Sequence, residues 1–274
     1  MSERTRTGRP NRLAFAAAVV LALITAGPML LMLSGALKPP DDVFDGKVLP
    51  TAPTLENFQE VLTGAPFGLY LWNSFLLAAG VTVAAVLFHS MAAFALARLR
   101  FRGRDGIFFT LFATILVSMP MIIVPLFIVV RELGLLDTYA GVALPMVFQA
   151  FALFLLRQFY LTMPAELEEA AKIDGCGPLG IYWRVALPLS RPILAALSIF
   201  IFLGAWNSFL WPLTTTSDSS RWVVQIGIAS LQGEFAGEWN TILAASTLAS
   251  LPTIALFLVF QRQIIESIKT SGLK

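Results

Sequence analysis

The sequence has almost none of the residues from which catalytic and metal sites are usually built. Its 274 residues include one cysteine, Cys176, and one histidine, His89. A lone cysteine excludes an internal disulfide and any cysteine-based zinc or iron–sulfur centre. A lone histidine cannot complete a HExxH zinc site, and no GxSxG turn is present to raise a nucleophilic serine. A phosphate-cradling loop is missing too. Gly46-Lys47 lacks the glycine five positions earlier, and Val48 stands where Ser or Thr would hold magnesium. No catalytic residue, metal or other cofactor is therefore expected. Charge is also scarce: 13% of residues are charged, about half the share usual in a soluble domain. The net charge of +2 is too small to suggest a nucleic-acid partner.

Apolar residues fill the space. They make up 57% of the chain, and the mean hydropathy is +0.77. About 20 consecutive apolar residues carry a helix across a hydrocarbon core of about 30 Å. Six stretches meet that length with no formal charge inside: 13–37, 69–97, 107–130, 139–156, 192–211 and 241–260. The expected fold is all-α, a polytopic membrane bundle of six spans in one domain, with the lipid bilayer as its solvent. The first run follows a basic stretch, Met1–Arg12. It is too long for a signal-peptide core and lacks a small-residue cleavage site, so it reads as a retained span.

Lysine and arginine concentrate on the cytoplasmic side of such proteins. With both termini cytoplasmic, 15 of the 19 basic residues fall inside and only Lys38, Lys47, Arg131 and Arg221 fall outside. An odd number of spans would break that pattern. Tyr70, Trp72, Tyr139, Trp211 and Trp239 lie at the expected outer ends, where amphipathic rings favour the headgroup level. The first outer loop is expected to hold a short helix over Thr54–Leu62, capped by Thr54. The outer segment 222–232 has both helix-like and strand-like features.

An ionisable group inside a span is expensive and marks function. Here the spans hold no Asp, Glu, Lys or Arg, which speaks against an ion-coupled secondary carrier and against an intramembrane enzyme. His89 is expected to hydrogen-bond a neighbouring helix. Pro120, Pro125, Pro145 and Pro252 remove backbone donors and are expected to kink their helices. Gly80 and Ala84, Gly204 and Ser208, and Ala245 and Ala249 have the spacing of close helix packing. Asn207, beside Trp206, is the best polar candidate for lining a pathway, the alternative being an interhelical hydrogen bond. Uphill transport by such a chain must draw its energy from another subunit.

The longest inner loop, 164–188, has a pattern of its own. Pro164 suits a first helical turn, and Glu166, Glu168 and Glu169 suit a helix N-terminus. Leu167, Ala170, Ala171 and Asp174 share one face of a short helix. Gly175 is placed to cap it, and Pro178 bars simple continuation. A second segment, Leu179–Leu187, is expected to expose Ile181, Tyr182, Trp183 and Val185. The whole reads as a helix–turn–helix on the inner face, presented to a partner's groove or resting on lipid headgroups.

Glu169-Ala170-Ala171, then Gly175, then Val185-Ala186-Leu187-Pro188 resembles the EAA signature of ABC-importer permeases, with Val185 in place of the usual isoleucine. Leu37-Lys38, Pro53–Phe58, Trp206-Asn207, Leu231–Glu234 and the tail Ile268–Lys274 are similar to the second, six-span permease of maltose and multiple-sugar importers, though the tail departs from the glycine-ending form. The resemblance implies a permease subunit for a sugar or oligosaccharide, with a polyol or glycerol-phosphate-type solute as the alternative. It implies four kinds of partner contact: a homologous second permease, two ATP-binding subunits, an extracytoplasmic solute-binding protein and the bilayer. It also implies roles. Glu169 would be the acidic docking residue, Ala170 and Ala171 would allow close approach, and Asp174 and Gly175 would shape the helix end. Leu187-Pro188 would lead into the fifth span, and the outer loops 38–69 and 212–240 would meet the binding protein.

Overall fold

The computed structural model describes residues 12–234 and 238–271, with side chains placed for 15–233 and 238–261. The basic stretch before Arg12 and the side chains of the C-terminal tail lie outside the described residues. Among the described residues every regular element is helical. The chain divides into two compact units, Met1–Ala65 with Ser230–Ser250, and Pro66–Ala229 with Leu251–Lys274.

The first unit holds α1 (Arg12–Ala36), α2 (Glu56–Gly64) and the start of α14 (Trp239–Ser271). The polar side chain of Asn57, in α2, ties them together. Its amide donates to the Ala36 and Lys38 carbonyls at 2.7 and 2.8 Å and accepts from Asn240 Nδ2 at 2.8 Å. Gly35 lies so close to Leu243 that a methyl group there would collide with it. The helix expected over Thr54–Leu62 begins at Glu56 with Leu55 at the cap; Thr54 instead accepts from the Glu56 amide through Oγ1. Over most of its length α1 exposes its apolar residues, Phe15, Leu21 and Ile24 among them.

In the second unit, α3 (Phe67–Arg98) is one unbroken helix of 32 residues, about 48 Å long at 1.5 Å per residue. Three helix pairs of this unit are each bent. They are α4 (Arg104–Ala113) with its 3-10 extension to Leu116 and α5 (Met119–Glu132), bent by 109°; α6 (Tyr139–Val147) and α7 (Ala150–Thr162), bent by 43°; and the Pro178–Leu189 segment and α11 (Arg191–Trp206), bent by 76°. The expected third span is therefore broken rather than kinked. Pro120 explains the position of the break: a continuous helix would need an N–H at Pro120 aimed at Leu116, and the ring would collide with that carbonyl. Val117 and Ser118 accordingly turn extended.

The break at Phe148-Gln149 frees a backbone donor, and His89 takes it up. Its Nε2 accepts from the Gln149 amide at 3.0 Å, while Nδ1 lies 2.6 Å from the Ala85 carbonyl. The interhelical bond expected of His89 is thus present, and it repairs a helix break.

Several expectations need correction. The fifth span does not run helically to Trp211: α11 ends at Trp206, Asn207 caps it, and α12 (Leu210–Thr215) follows. Trp211 is buried and donates to the Val142 carbonyl at 3.1 Å, so its ring packs against protein rather than facing outward. Tyr70 is buried as well, whereas Trp72, Tyr139 and Trp239 are exposed. Gly80 and Gly204 face open space rather than a neighbouring helix. The segment 222–232, with its helix-like and strand-like features, is extended at Trp222 and then helical as α13 (Val224–Glu234). Gly227, in α13, lies directly against the Tyr70 ring, where a side chain would not fit.

Candidate functional site

The segment after α7 folds back as α8 (Ala165–Ile173), with Pro164 extended at its N-cap and Glu166 and Glu168 in the first turn. Its C-terminus closes in a Schellman arrangement. The Gly175 amide donates to Lys172 at 3.0 Å and the Cys176 amide to Ala171 at 2.9 Å. Gly175 has φ +80°, a conformation that glycine adopts without strain. The chain then runs through α9 (Pro178–Ile181), a π-helical stretch Tyr182–Ala186, and α10 (Leu187–Leu189). Leu187 is half-buried and Pro188 exposed.

Two faces emerge. Glu168 and Ala171 turn inward, whereas Leu167, Glu169, Ala170, Ile173, Asp174 and Gly175 are exposed, Ile173 at 87%. The face drawn from sequence is thus split: Ala171 leaves it and Leu167, Ala170 and Asp174 remain. In the second segment Trp183 and Leu179 are exposed, but Ile181 and Tyr182 are buried, against expectation. Tyr182, 1% exposed, lies 2.6 Å from Ser90 Oγ through its hydroxyl and packs on Phe94 at 5.5 Å between ring centres.

The inward face rests on the Arg98 end of α3. Arg98 Nε lies 3.0 Å from Glu168 Oε1, and Nη2 donates to the Met163 carbonyl. The Nε and Oε1 atoms are buried and not aligned for a hydrogen bond, so their contact is an ion pair. Ser90, Phe94 and Arg98 stand at i, i+4 and i+8, one face of one helix. Phe94 also meets Tyr160 edge-on at 5.7 Å, and the Tyr160 hydroxyl lies 3.2 Å from Ser190, the residue at the 76° bend. Arg157 braces the neighbouring helices. It pairs with Asp105 at 2.9 Å, donates to the Leu96 carbonyl at 3.2 Å and lies 4.0 Å over the Phe108 ring.

The two pathway candidates part company. Trp206 is buried, stacked on Phe202 at 5.9 Å. Asn207 is exposed, donates to Leu203 of its own helix at 2.9 Å and accepts from Gln225 Nε2 at 3.4 Å. Among the described residues no three His, Cys, Asp or Glu side chains cluster to hold a metal. Sequence reasoning missed Ser90, Phe94 and Arg98. Their four-residue spacing was visible, but nothing in one sequence says what that face meets.

The model of the binding-protein-dependent transport system inner membrane component family matches residues 85–270. The chain belongs to that family. It is an inner-membrane permease subunit of an ABC transport system. The arabinooligosaccharides transport system permease protein AraQ of Halalkalibacterium halodurans is 34% identical over 261 residues, 93% of each chain. The sn-glycerol-3-phosphate transport system permease protein UgpE of Yersinia enterocolitica is 39% identical over 209 residues, 76% of this chain and 74% of its own. Among solved structures, a bacterial ABC transporter that imports the acidic polysaccharide alginate superposes with a TM-score of 0.81 at 25% identity, covering 96% of this chain and 99% of its own. A chain of a bacterial alginate ABC transporter, solved with a periplasmic protein holding an alginate pentasaccharide, shares the fold at a TM-score of 0.66 and 14% identity.

Proposed function

We propose that this permease forms half of the translocation pathway for a sugar or oligosaccharide and is driven by a separate ATPase docked on segment 164–188. In this reading the chain crosses the membrane six times, each bent helix pair counting as one span, with both termini cytoplasmic. It has no nucleotide site of its own. It works with a homologous second permease, two ATP-binding subunits and an extracytoplasmic solute-binding protein.

One observation carries the docking reading: the exposed face of α8 and the segment after it is backed by fixed contacts. Glu169, Ile173, Leu179 and Trp183 face outward, while Glu168 and Tyr182 are held from behind by Arg98 and Ser90. A partner pushing on this face would push on α3. Glu169→Lys reverses the charge of an exposed residue that the fold does not use. Uptake and ATPase stimulation should vanish while the protein still inserts and assembles; normal transport by this variant would sink the docking reading.

The sugar reading is supported by the arabinooligosaccharide relative, which matches along nearly the whole of both chains. A glycerol-phosphate-type solute is the second reading, favoured by the higher identity to the glycerol-3-phosphate permease. Against it, none of the six apolar stretches 13–37, 69–97, 107–130, 139–156, 192–211 and 241–260 holds a lysine or arginine to offer a phosphate. The partner solute-binding protein decides between them. A neutral oligosaccharide should raise its melting temperature, and a shift with sn-glycerol 3-phosphate alone would favour the second reading.

A further inference from the structure

We infer that α3 is a rigid rod that transmits motion between the ATPase-docking segment and the outer loop 219–227, with Ser90, Tyr182 and Asn73 as its positioning residues. This rests on the docking role proposed for segment 164–188. Its inner grip is the Ser90, Phe94 and Arg98 face, which holds Tyr182 and Glu168. Its outer grip lies near the other end of the same helix. Asn73 Nδ2 donates to the Ser220 and Trp222 carbonyls at 2.9 and 3.0 Å, and Asn73 Oδ1 accepts from the Tyr139 hydroxyl at 2.8 Å. Ser74 Oγ accepts from the Val224 amide at 2.7 Å, and Tyr70 packs on Trp222 and Gly227.

Three features make α3 suited to this. It contains no proline and no break, while each helix pair of this unit that follows it is bent by 43–109°. Bent helices absorb displacement at their hinges; a continuous one passes it on. Both grips are made by buried polar side chains of α3 itself, Asn73 and Ser74 at one end and Ser90 at the other, whose hydrogen bonds have fixed direction, so a shift at one end is not lost by sliding. The loop they hold leads into α13, within the stretch 212–240 that the solute-binding protein would meet. Free-energy coupling between two binding sites is reciprocal. The same rod therefore reports ATP binding to the outside and a docked binding protein to the inside.

The test uses the assembled transporter in lipid nanodiscs, with its own second permease and ATPase subunits. In a Cys176→Ser background, a fluorophore is attached at Ser219→Cys, an exposed position on the held loop. ATP with vanadate traps the ATPases, and both the label's emission shift and the trapped nucleotide are measured. The background should shift. Ser90→Ala, Tyr182→Phe and Asn73→Ala should each lose most of the shift per trapped nucleotide, and Ser90→Ala with Tyr182→Phe together should lose no more than either alone. The inference is overturned if the background label does not respond, if the variants respond fully, or if their shift falls only in step with trapped nucleotide. Failure of the unaltered complex to trap nucleotide would instead overturn the docking reading beneath it.

Discussion

Arg98 and Glu168 are 70 residues apart in sequence and 3.0 Å apart in space, with side chains only 15% and 12% exposed. Arg98 is the last residue of α3, and Glu168 lies in the first turn of α8. A cation at a helix C-terminus and an anion near a helix N-terminus each oppose a partial charge of the backbone. The pair therefore joins two helix ends that each ion already stabilises. The second arm of the guanidinium holds the Met163 carbonyl, just before α8 begins.

Removing that clamp should loosen α8 without unfolding the bundle. Arg98→Ala is expected to cost on the order of 1–2 kcal/mol, between an exposed and a fully buried pair. Arg98→Lys should recover only part, because an ammonium cannot reach both partners as a planar fork does. A double-mutant cycle with Glu168→Ala, read by thermal melting of the purified complex, should show non-additivity. Strict additivity would mean the two side chains do not communicate.

Gly175 makes a narrower demand. An added methyl would meet nothing within 4 Å, so the only penalty of Gly175→Ala is backbone strain at φ +80°. That amounts to about 1–2 kcal/mol, confined to the end of α8. Gly175→Asn should be milder, since asparagine tolerates the left-handed region. Proteolysis at the 173–178 turn should rank the variants alanine, asparagine, glycine in falling susceptibility. Equal susceptibility would show that the turn does not depend on glycine.

The helices of this fold were legible from sequence because lipid forces apolar runs into helices. The positions of α1 and α3, the start of α14 and the cap at Gly175 followed from composition, proline and glycine, whereas α14 runs on to Ser271, past the expected end at Phe260. Breaks were harder. Pro120 announced a disturbance but not its 109° size, since a proline kink can be absorbed or can sever the helix depending on its neighbours. Burial was hardest. Tyr182 and Trp183 are adjacent and similar, yet one is buried and the other exposed, a choice made by Ser90 and Phe94 on a distant helix. The exposed face of α8 was half visible for the same reason: Glu168 and Glu169 both suit a first helical turn, and only Arg98 sets them apart.

His89 is placed to decide the stability of the α6–α7 break. His89→Phe keeps the bulk beside Phe148, on which the imidazole packs at 5.7 Å, but removes the acceptor for the Gln149 amide. An unmet donor at that depth costs about 1–3 kcal/mol. The complex should melt earlier, and Gln149 should exchange its amide proton faster than Leu153, within α7. An unchanged exchange rate at Gln149 would mean that another group serves its amide.

Loop 38–48 carries a pH dependence of definite sign. Asp45 accepts from the buried Lys38 ammonium at 2.7 Å and from the Lys47 amide at 3.0 Å. The Lys38 bond first, and the Lys47 amide second, hold its carboxyl below the ordinary aspartate value. A carboxylate whose folded pKa is depressed adds stability above its unfolded pKa, about 4, and loses it as pH falls through the lower folded value. Protonation would leave the Lys38 ammonium, 3% exposed, with only the Lys47 carbonyl at 2.7 Å. Loop 38–48 should therefore hold from neutral pH to about pH 4 and open below it. Limited proteolysis by pepsin, which is active in that range, should cut the loop increasingly as pH falls. Asp45→Asn should already be cut at the top of that range and should show little further change. If wild type and Asp45→Asn share one pH profile, the loop is held by something other than this pair.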